Sequence, residues 1–200
     1  SALTLNAVNP IERISVATFA DWAMTDDIEL FGEFLYTKRE SEQIATPGSL
    51  LNLAIPASSP TNPTGEDIVL VRRRLAEGGP RQFFQDTETW QATLGLKGDL
   101  ADTGHWEVAG RFGRNTAIDG STNIANLENV ANTLDTDICG TGGIPCADYL
   151  GFGDVSQEVL DYILFTSRDT GGNELLSVTA DLTGDLFDMP AGPVAFAAGA

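Results

Sequence analysis

From Glu88 to Leu100 the chain alternates. Trp90, Ala92, Leu94, Leu96, Gly98 and Leu100 fall on one face; Thr89, Gln91, Thr93, Gly95, Lys97 and Asp99 fall on the other. Successive side chains of a strand point to opposite sides, so this pattern predicts a strand with one apolar and one polar face. After Ala101-Asp102-Thr103-Gly104 the alternation resumes, with Trp106, Val108, Gly110 and Phe112 set against His105, Glu107, Ala109, Arg111 and Gly113. Two such strands around a short polar turn predict a hairpin.

Two further hairpins follow the same plan. Ile14, Val16, Thr18, Ala20 and Trp22 share a face, and past Thr25-Asp26-Asp27 so do Ile28, Leu30, Gly32, Phe34 and Tyr36. Phe19, Phe31 and Leu35 interrupt the polar side of that pair. Leu176, Val178, Ala180, Leu182, Gly184 and Leu186 form the third stripe, which a turn at Phe187–Gly192 leads into Val194, Phe196 and Ala198. The expectation is six strands in three hairpins, forming an all-β antiparallel up-and-down meander.

The connections decide the architecture. Those within hairpins are short, whereas Glu40–Asp86 and Thr116–Asn173 each exceed forty residues. Loops that long are unusual in a compact soluble domain. Short periplasmic turns alternating with long extracellular loops are the rule in outer-membrane barrels. About ten residues at ~3.3 Å rise, tilted by ~45°, span roughly 23 Å, close to the ~25 Å apolar band of such barrels. Trp22 and Trp106 stand beside short turns and Tyr36 and Trp90 beside long connections, as an aromatic girdle at both interfaces requires. The pattern therefore predicts a partial transmembrane β-barrel. A soluble secreted sandwich, whose core the same aromatics would fill, is the alternative.

Composition narrows the choice. Lysine and arginine number 11 against 29 acids, a net charge of −18, so no basic surface is available for nucleic acid. The 42% hydrophobic content is too high for a charged disordered chain. The longest run free of strongly polar residues, Ala191–Ala200, is ten residues, too short for a membrane helix but long enough for a membrane strand. Ser1 opens without a signal peptide and Ala200 closes inside a small apolar run, so a piece of a longer chain is expected.

Several segments together resemble the barrel domain of TonB-dependent outer-membrane receptors. Asp26-Asp27-Ile28-Glu29-Leu30-Phe31-Gly32-Glu33, continuing through Tyr36-Thr37-Lys38-Arg39-Glu40-Ser41-Glu42-Gln43, is similar to a barrel hairpin of that family. Asn62-Pro63-Thr64-Gly65-Glu66-Asp67 resembles its Asn-Pro-Phe-Gly loop, with Thr64 in place of Phe and Thr61 where Tyr is usual. Gly79-Pro80-Arg81 and Gly95-Leu96-Lys97-Gly98 also fit. Cys146 and then Gly153–Ile163 resemble a cysteine-containing loop and the short helix before the next strand. Gly184-Asp185-Leu186-Phe187-Asp188-Met189-Pro190-Ala191-Gly192-Pro193 is similar to a Leu-Phe-Asp-Leu-Pro-Ala-Gly-Pro turn. The resemblance runs along nearly the whole chain, but contains no plug, no TonB box and far fewer than about 22 strands. It implies that residues 1–200 are a fragment of the barrel, about a quarter of it, located in the outer membrane of a Gram-negative bacterium. The parent would import a scarce solute (a siderophore, cobalamin or an oligosaccharide) using energy from the TonB–ExbB–ExbD complex through the missing plug. Its surroundings would be membrane lipid and lipopolysaccharide. The soluble alternative would be an adhesin or a carbohydrate-acting protein.

No covalent chemistry and no cofactor is expected. His105 is the single histidine, and no Gly-x-Ser-x-Gly elbow accompanies it. Asp135, Asp137 and Asp148 lie near glycines but lack the order of a calcium loop, so a solvated acidic loop is expected and no metal site. Arg72-Arg73-Arg74 with Arg81 is the one basic cluster, a candidate for gripping lipopolysaccharide phosphates or an anionic substrate. By the resemblance, an exported loop carries Cys139 and Cys146, which are expected to form a disulfide. Gly140, Gly142, Gly143 and Pro145 between them let the chain turn back to the roughly 4.4–6.8 Å Cα separation a bridge needs.

Overall fold

The computed structural model describes residues 8–100, 104–151 and 155–200. Strand dominates: β1 (Ile11–Ala23), β2 (Ile28–Ala45), β3 (Ser49–Ile55), β4 (Ile68–Arg74), β5 (Arg81–Leu100), β6 (Gly104–Ala125), β7 (Leu164–Met189) and β8 (Gly192–Gly199). Two short helices, α1 (Leu127–Asn132) and α2 (Gln157–Ile163), lie between β6 and β7. Six strands make one antiparallel up-and-down sheet in the order β1-β2-β5-β6-β7-β8, and β3 with β4 makes a separate two-stranded sheet. The six-stranded sheet is open, with β1 and β8 at its edges.

The three expected hairpins are all present as neighbours in that sheet. Their lengths were underestimated. Where about ten residues per strand were expected, β2, β5, β6 and β7 have 18, 20, 22 and 26. The alternation marks only the part of each strand with an apolar face; beyond it the ladder continues through polar residues. The turn expected at Phe187–Gly192 is tighter than it reads. The ladder continues through Phe187↔Val194 and Asp188↔Pro193 to Met189↔Gly192, after a bulge between Asp185 and Phe187, leaving Pro190 and Ala191 to turn the chain. The expected turn at Ala101-Asp102-Thr103, and Gly153-Asp154 of the expected loop segment, lie outside the described residues.

The two long connections are not loops throughout, which corrects the reading from periodicity. Glu40–Asp86 holds the β3–β4 hairpin and the ends of β2 and β5, and Thr116–Asn173 holds both helices and the ends of β6 and β7. Each helix is short and explicitly capped. Asn126 accepts from the backbone N–H groups of Glu128 and Asn129, and Ser156 accepts from that of Val159.

The chain divides into two units. The first contains residues 41–85 and 119–169 and has a core of its own. Leu50, Ile55, Leu75, Val130, Leu134, Ala147, Tyr149, Val155, Val159, Leu160 and Ile163 pack together there, from β3, the residue after β4, both helices and the loop between them, with Ile68 and Leu70 of β4 packed against them. A left-handed Asn52 (φ 51°) lets β3 change face, so that Leu50 and Ile55, an odd number of residues apart, are both buried. The second unit contains residues 12–40, 86–118 and 170–200. Among its described residues the one buried apolar side chain is Ala109.

Candidate functional site

Among the described residues the second unit shows no cluster of buried apolar side chains, and many of its apolar residues are exposed. Ile14, Val16 and Trp22 on β1, Leu94 and Leu96 on β5, Val108 on β6, and Leu176, Val178 and Leu186 on β7 are all exposed, Leu94 by 63% and Leu176 by 77%. They belong to one face. The Trp90 and Phe112 rings meet across β5 and β6 with centroids 5.2 Å apart, and a Cβ built on Gly32 would lie 3.7 Å from Leu94 Cδ1. Trp90, Leu94, Leu96, Trp106, Val108 and Phe112 were expected to share a face, and these contacts agree with that register. A continuous exposed stripe of this kind is rare in a water-soluble monomer and marks a surface that another apolar phase or partner covers.

The reverse face is polar and cross-linked. Lys97 Nζ on β5 reaches Asp21 on β1 and Glu29 on β2, each at 3.1 Å. Arg111 donates to Thr93 at 3.3 Å, Asn115 to Thr89 at 2.5 Å, and the Ser15 and Thr37 hydroxyls lie 3.2 Å apart. The two faces therefore differ in chemistry as the alternation requires, and a slip of one residue would exchange them. Phe19, Phe31, Leu35 and Leu175 are apolar exceptions on the polar side. Phe31 lies flat over Gly95, where a Cβ would come within 2.4 Å of its ring and 2.8 Å of the Val108 carbonyl, and Lys97 stands 5.4 Å from its centroid. Phe31 thus fills a place where the neighbouring strand carries no side chain.

The stripe has an end, and charges mark it. Past Tyr36, Trp90, Phe112 and Leu176, the next residues in the same alternation are Lys38, Glu88, Arg114 and Glu174. Lys38 pairs with Asp86 at 3.9 Å and with Glu40 at 2.5 Å, and Arg114 pairs with Glu174 at 3.7 Å. Aromatic rings are thus followed by charged residues and ion pairs along these strands.

His105 and Asp99 meet at 2.6 Å in an acidic cleft of about 480 Å³ that also presents Asp27, Glu29, Lys97 and Glu107. Both partners are exposed, and Thr25 and Thr183 also line the cleft.

In the first unit, Cys139 and Cys146 are bridged, with Cα atoms 4.9 Å apart. Gly140, Gly142 and Gly143 all take positive φ (80°, 59° and 83°), so the turn between the cysteines needs residues without a Cβ. The Gly140 N–H closes it on the Ile144 carbonyl at 2.7 Å. Thr61, beside the Asn62-Pro63-Thr64-Gly65 segment, donates to the Ala147 carbonyl at 2.9 Å and holds that segment against the bridged loop. Asp135 and Asp148 spend carboxylate oxygens on local backbone N–H groups, of Asp137 and Leu150. No group of three or more His, Cys, Asp or Glu that could hold a metal occurs among the described residues.

The structure places each of the four candidate arginines. Arg73 is buried, donates to the Tyr149 carbonyl at 3.0 Å and pairs with Glu77, so it serves the core and does not reach outward to an anion. Arg72 is exposed and donates to Ser49 at 3.3 Å, while Arg74 pairs with Ser49 across the ladder. Arg81 donates to the Thr46 carbonyl at 3.2 Å and covers the Phe83 ring. Four arginines close in sequence thus have four separate environments. The sequence reading missed the Arg73–Tyr149–Thr133 arrangement. Tyr149 is fully buried, its hydroxyl lies 2.9 Å from that of Thr133, and burial pushes the phenol above its ordinary pKa. Two seven-residue apolar strands, Ser49–Ile55 and Ile68–Arg74, around the turn-forming Asn62–Asp67 were the available signal for this hairpin.

No family model, curated protein or solved structure matches the chain.

Proposed function

We propose that this chain is part of the β-barrel of a TonB-dependent outer-membrane receptor, which imports a scarce solute such as a siderophore, cobalamin or an oligosaccharide. The observation that carries this reading is the bare apolar stripe of the second unit, set on one side of an open up-and-down sheet whose other side is polar. Lipid is the partner that such a stripe fits, and further strands of the same barrel are the partners that the exposed edges of β1 and β8 fit. Short turns at one end of the strands and long connections at the other fit the periplasmic and extracellular sides of an outer-membrane protein. The disulfide fits an exported location.

In this reading the strands are scaffold, the bridged and structured connections capture the solute, and a plug outside this chain gates the lumen and receives energy from TonB–ExbB–ExbD. Lipopolysaccharide surrounds the barrel. No covalent chemistry is assigned to the chain, and nucleic acid is not a partner for a net charge of −18.

The test is membrane fractionation and uptake in the native cell. The reading expects the protein in the outer membrane and solute accumulation that stops when TonB is inactivated. Recovery of the protein as a soluble secreted species would favour the adhesin or carbohydrate-acting alternative.

A further inference from the structure

The first unit contains a cleft that neither the core nor the stripe accounts for. It measures about 530 Å³, within the range of small-molecule sites. It is lined by the core residues Leu50, Val130 and Leu134, by the exposed Leu51 of β3 and Leu127 of α1, and by Asp135, Thr136 and Asp137. Leu51 and Leu127 are 66% and 71% exposed. Among the described residues the Asp137 carboxylate has no hydrogen-bond or ion-pair partner. No basic side chain lines the cleft. Residues 116–173 carry nine acids against Arg168 alone, so the local field attracts cations.

We infer that this cleft binds a small amphipathic cation, an apolar body seated between Leu51 and Leu127 with its amine or ammonium group at Asp137. Each half of that ligand answers one feature of the cleft. The apolar side chains lose water when covered, and the unpaired carboxylate selects positive over negative charge. The cleft is built wholly within the first unit, so the inference does not depend on lipid contact by the second.

The probe is 4-phenylbutylamine, titrated by calorimetry against the folded whole protein, with 4-phenylbutyrate and butylamine as comparisons. Saturable binding of the amine is expected, at least tenfold tighter than binding of the carboxylate with the same apolar body. It should also be at least tenfold tighter than binding of the shorter amine. Asp137→Asn is expected to weaken it at least fivefold, and Leu127→Ser likewise; both positions are exposed, so neither change threatens folding. Glu12→Gln, which removes an exposed carboxylate of the second unit, should leave the affinity unchanged. Equal affinity for amine and carboxylate, or full affinity in both first-unit variants, would overturn the inference.

Discussion

The two units use the same residue types to opposite ends. In the first, Tyr149 and Ile163 are fully buried and Leu50, Val159 and Leu160 nearly so. In the second, Leu94, Val108, Leu176 and Val178 stand in the open. Yet β2, β5, β6 and β7 each contribute residues to both units, so strand propensity cannot be the cause. What differs is what faces each strand. In the first unit the β3–β4 hairpin and two capped helices supply opposing apolar surface, and a cluster of apolar side chains is buried between them. In the second no element covers the stripe among the described residues, and the sheet alone carries it. The same residue type is therefore a core residue in one place and part of an exposed face in the other.

That contrast can be broken from either side. Ile163→Ala should have the largest effect, about 2–5 kcal/mol, because it opens a cavity in a closed core. Hydrogen exchange of residues 119–169 should report the loss, while protection of residues 86–118 stays as it was. Leu94→Arg should cost about 2–4 kcal/mol in the bilayer-inserted protein if the residue lies near the midplane. Gln91→Arg, on the polar face of the same strand, should cost less than about 0.5 kcal/mol. Equal costs in equilibrium unfolding from vesicles would remove the distinction between the faces. Gly95→Ala should cost about 1–3 kcal/mol in either setting, since the new methyl meets the Phe31 ring and the Val108 carbonyl. The double variant Phe31→Ala/Gly95→Ala should recover part of that loss. Replacing both cysteines by serine should cost about 2–3 kcal/mol at most, confined to the loop tip, because the bridge closes a ring only seven residues apart. Limited proteolysis should detect cleavage near Thr141 before any change in the strands.

How much was legible beforehand follows from the same contrast. Period two identified the hairpins β1–β2, β5–β6 and β7–β8 and the shared face of Trp90, Leu94, Val108 and Phe112, because those strand segments are apolar at nearly every second residue. It did not reveal β3–β4. There the face changes at Asn52, and Leu50, Leu53 and Ile55 depart from strict alternation. Nor did it reveal the strand ends, since beyond Tyr36 and Phe112 the ladder runs on through Lys38 and Arg114 with no apolar signal to read. The cysteine pair was legible because the three glycines between the sulfurs allow the tight return. The role of Arg73 was not. A run of three arginines reads as one basic patch, whereas the ladder sets Arg73 opposite Leu50 and buries it against Tyr149.

The central claim is that the stripe of the second unit contacts lipid. Nitroxide labels placed singly at Leu94, Val108, Gln91 and Glu107 of the bilayer-inserted protein test it most directly, because collisions with oxygen report hydrocarbon and collisions with a nickel chelate report water. The account predicts a high oxygen-to-nickel ratio at Leu94 and Val108 and a low one at Gln91 and Glu107, alternating along β5 and β6. Ratios that are the same at all four positions, or a nickel-accessible Leu94, would contradict it.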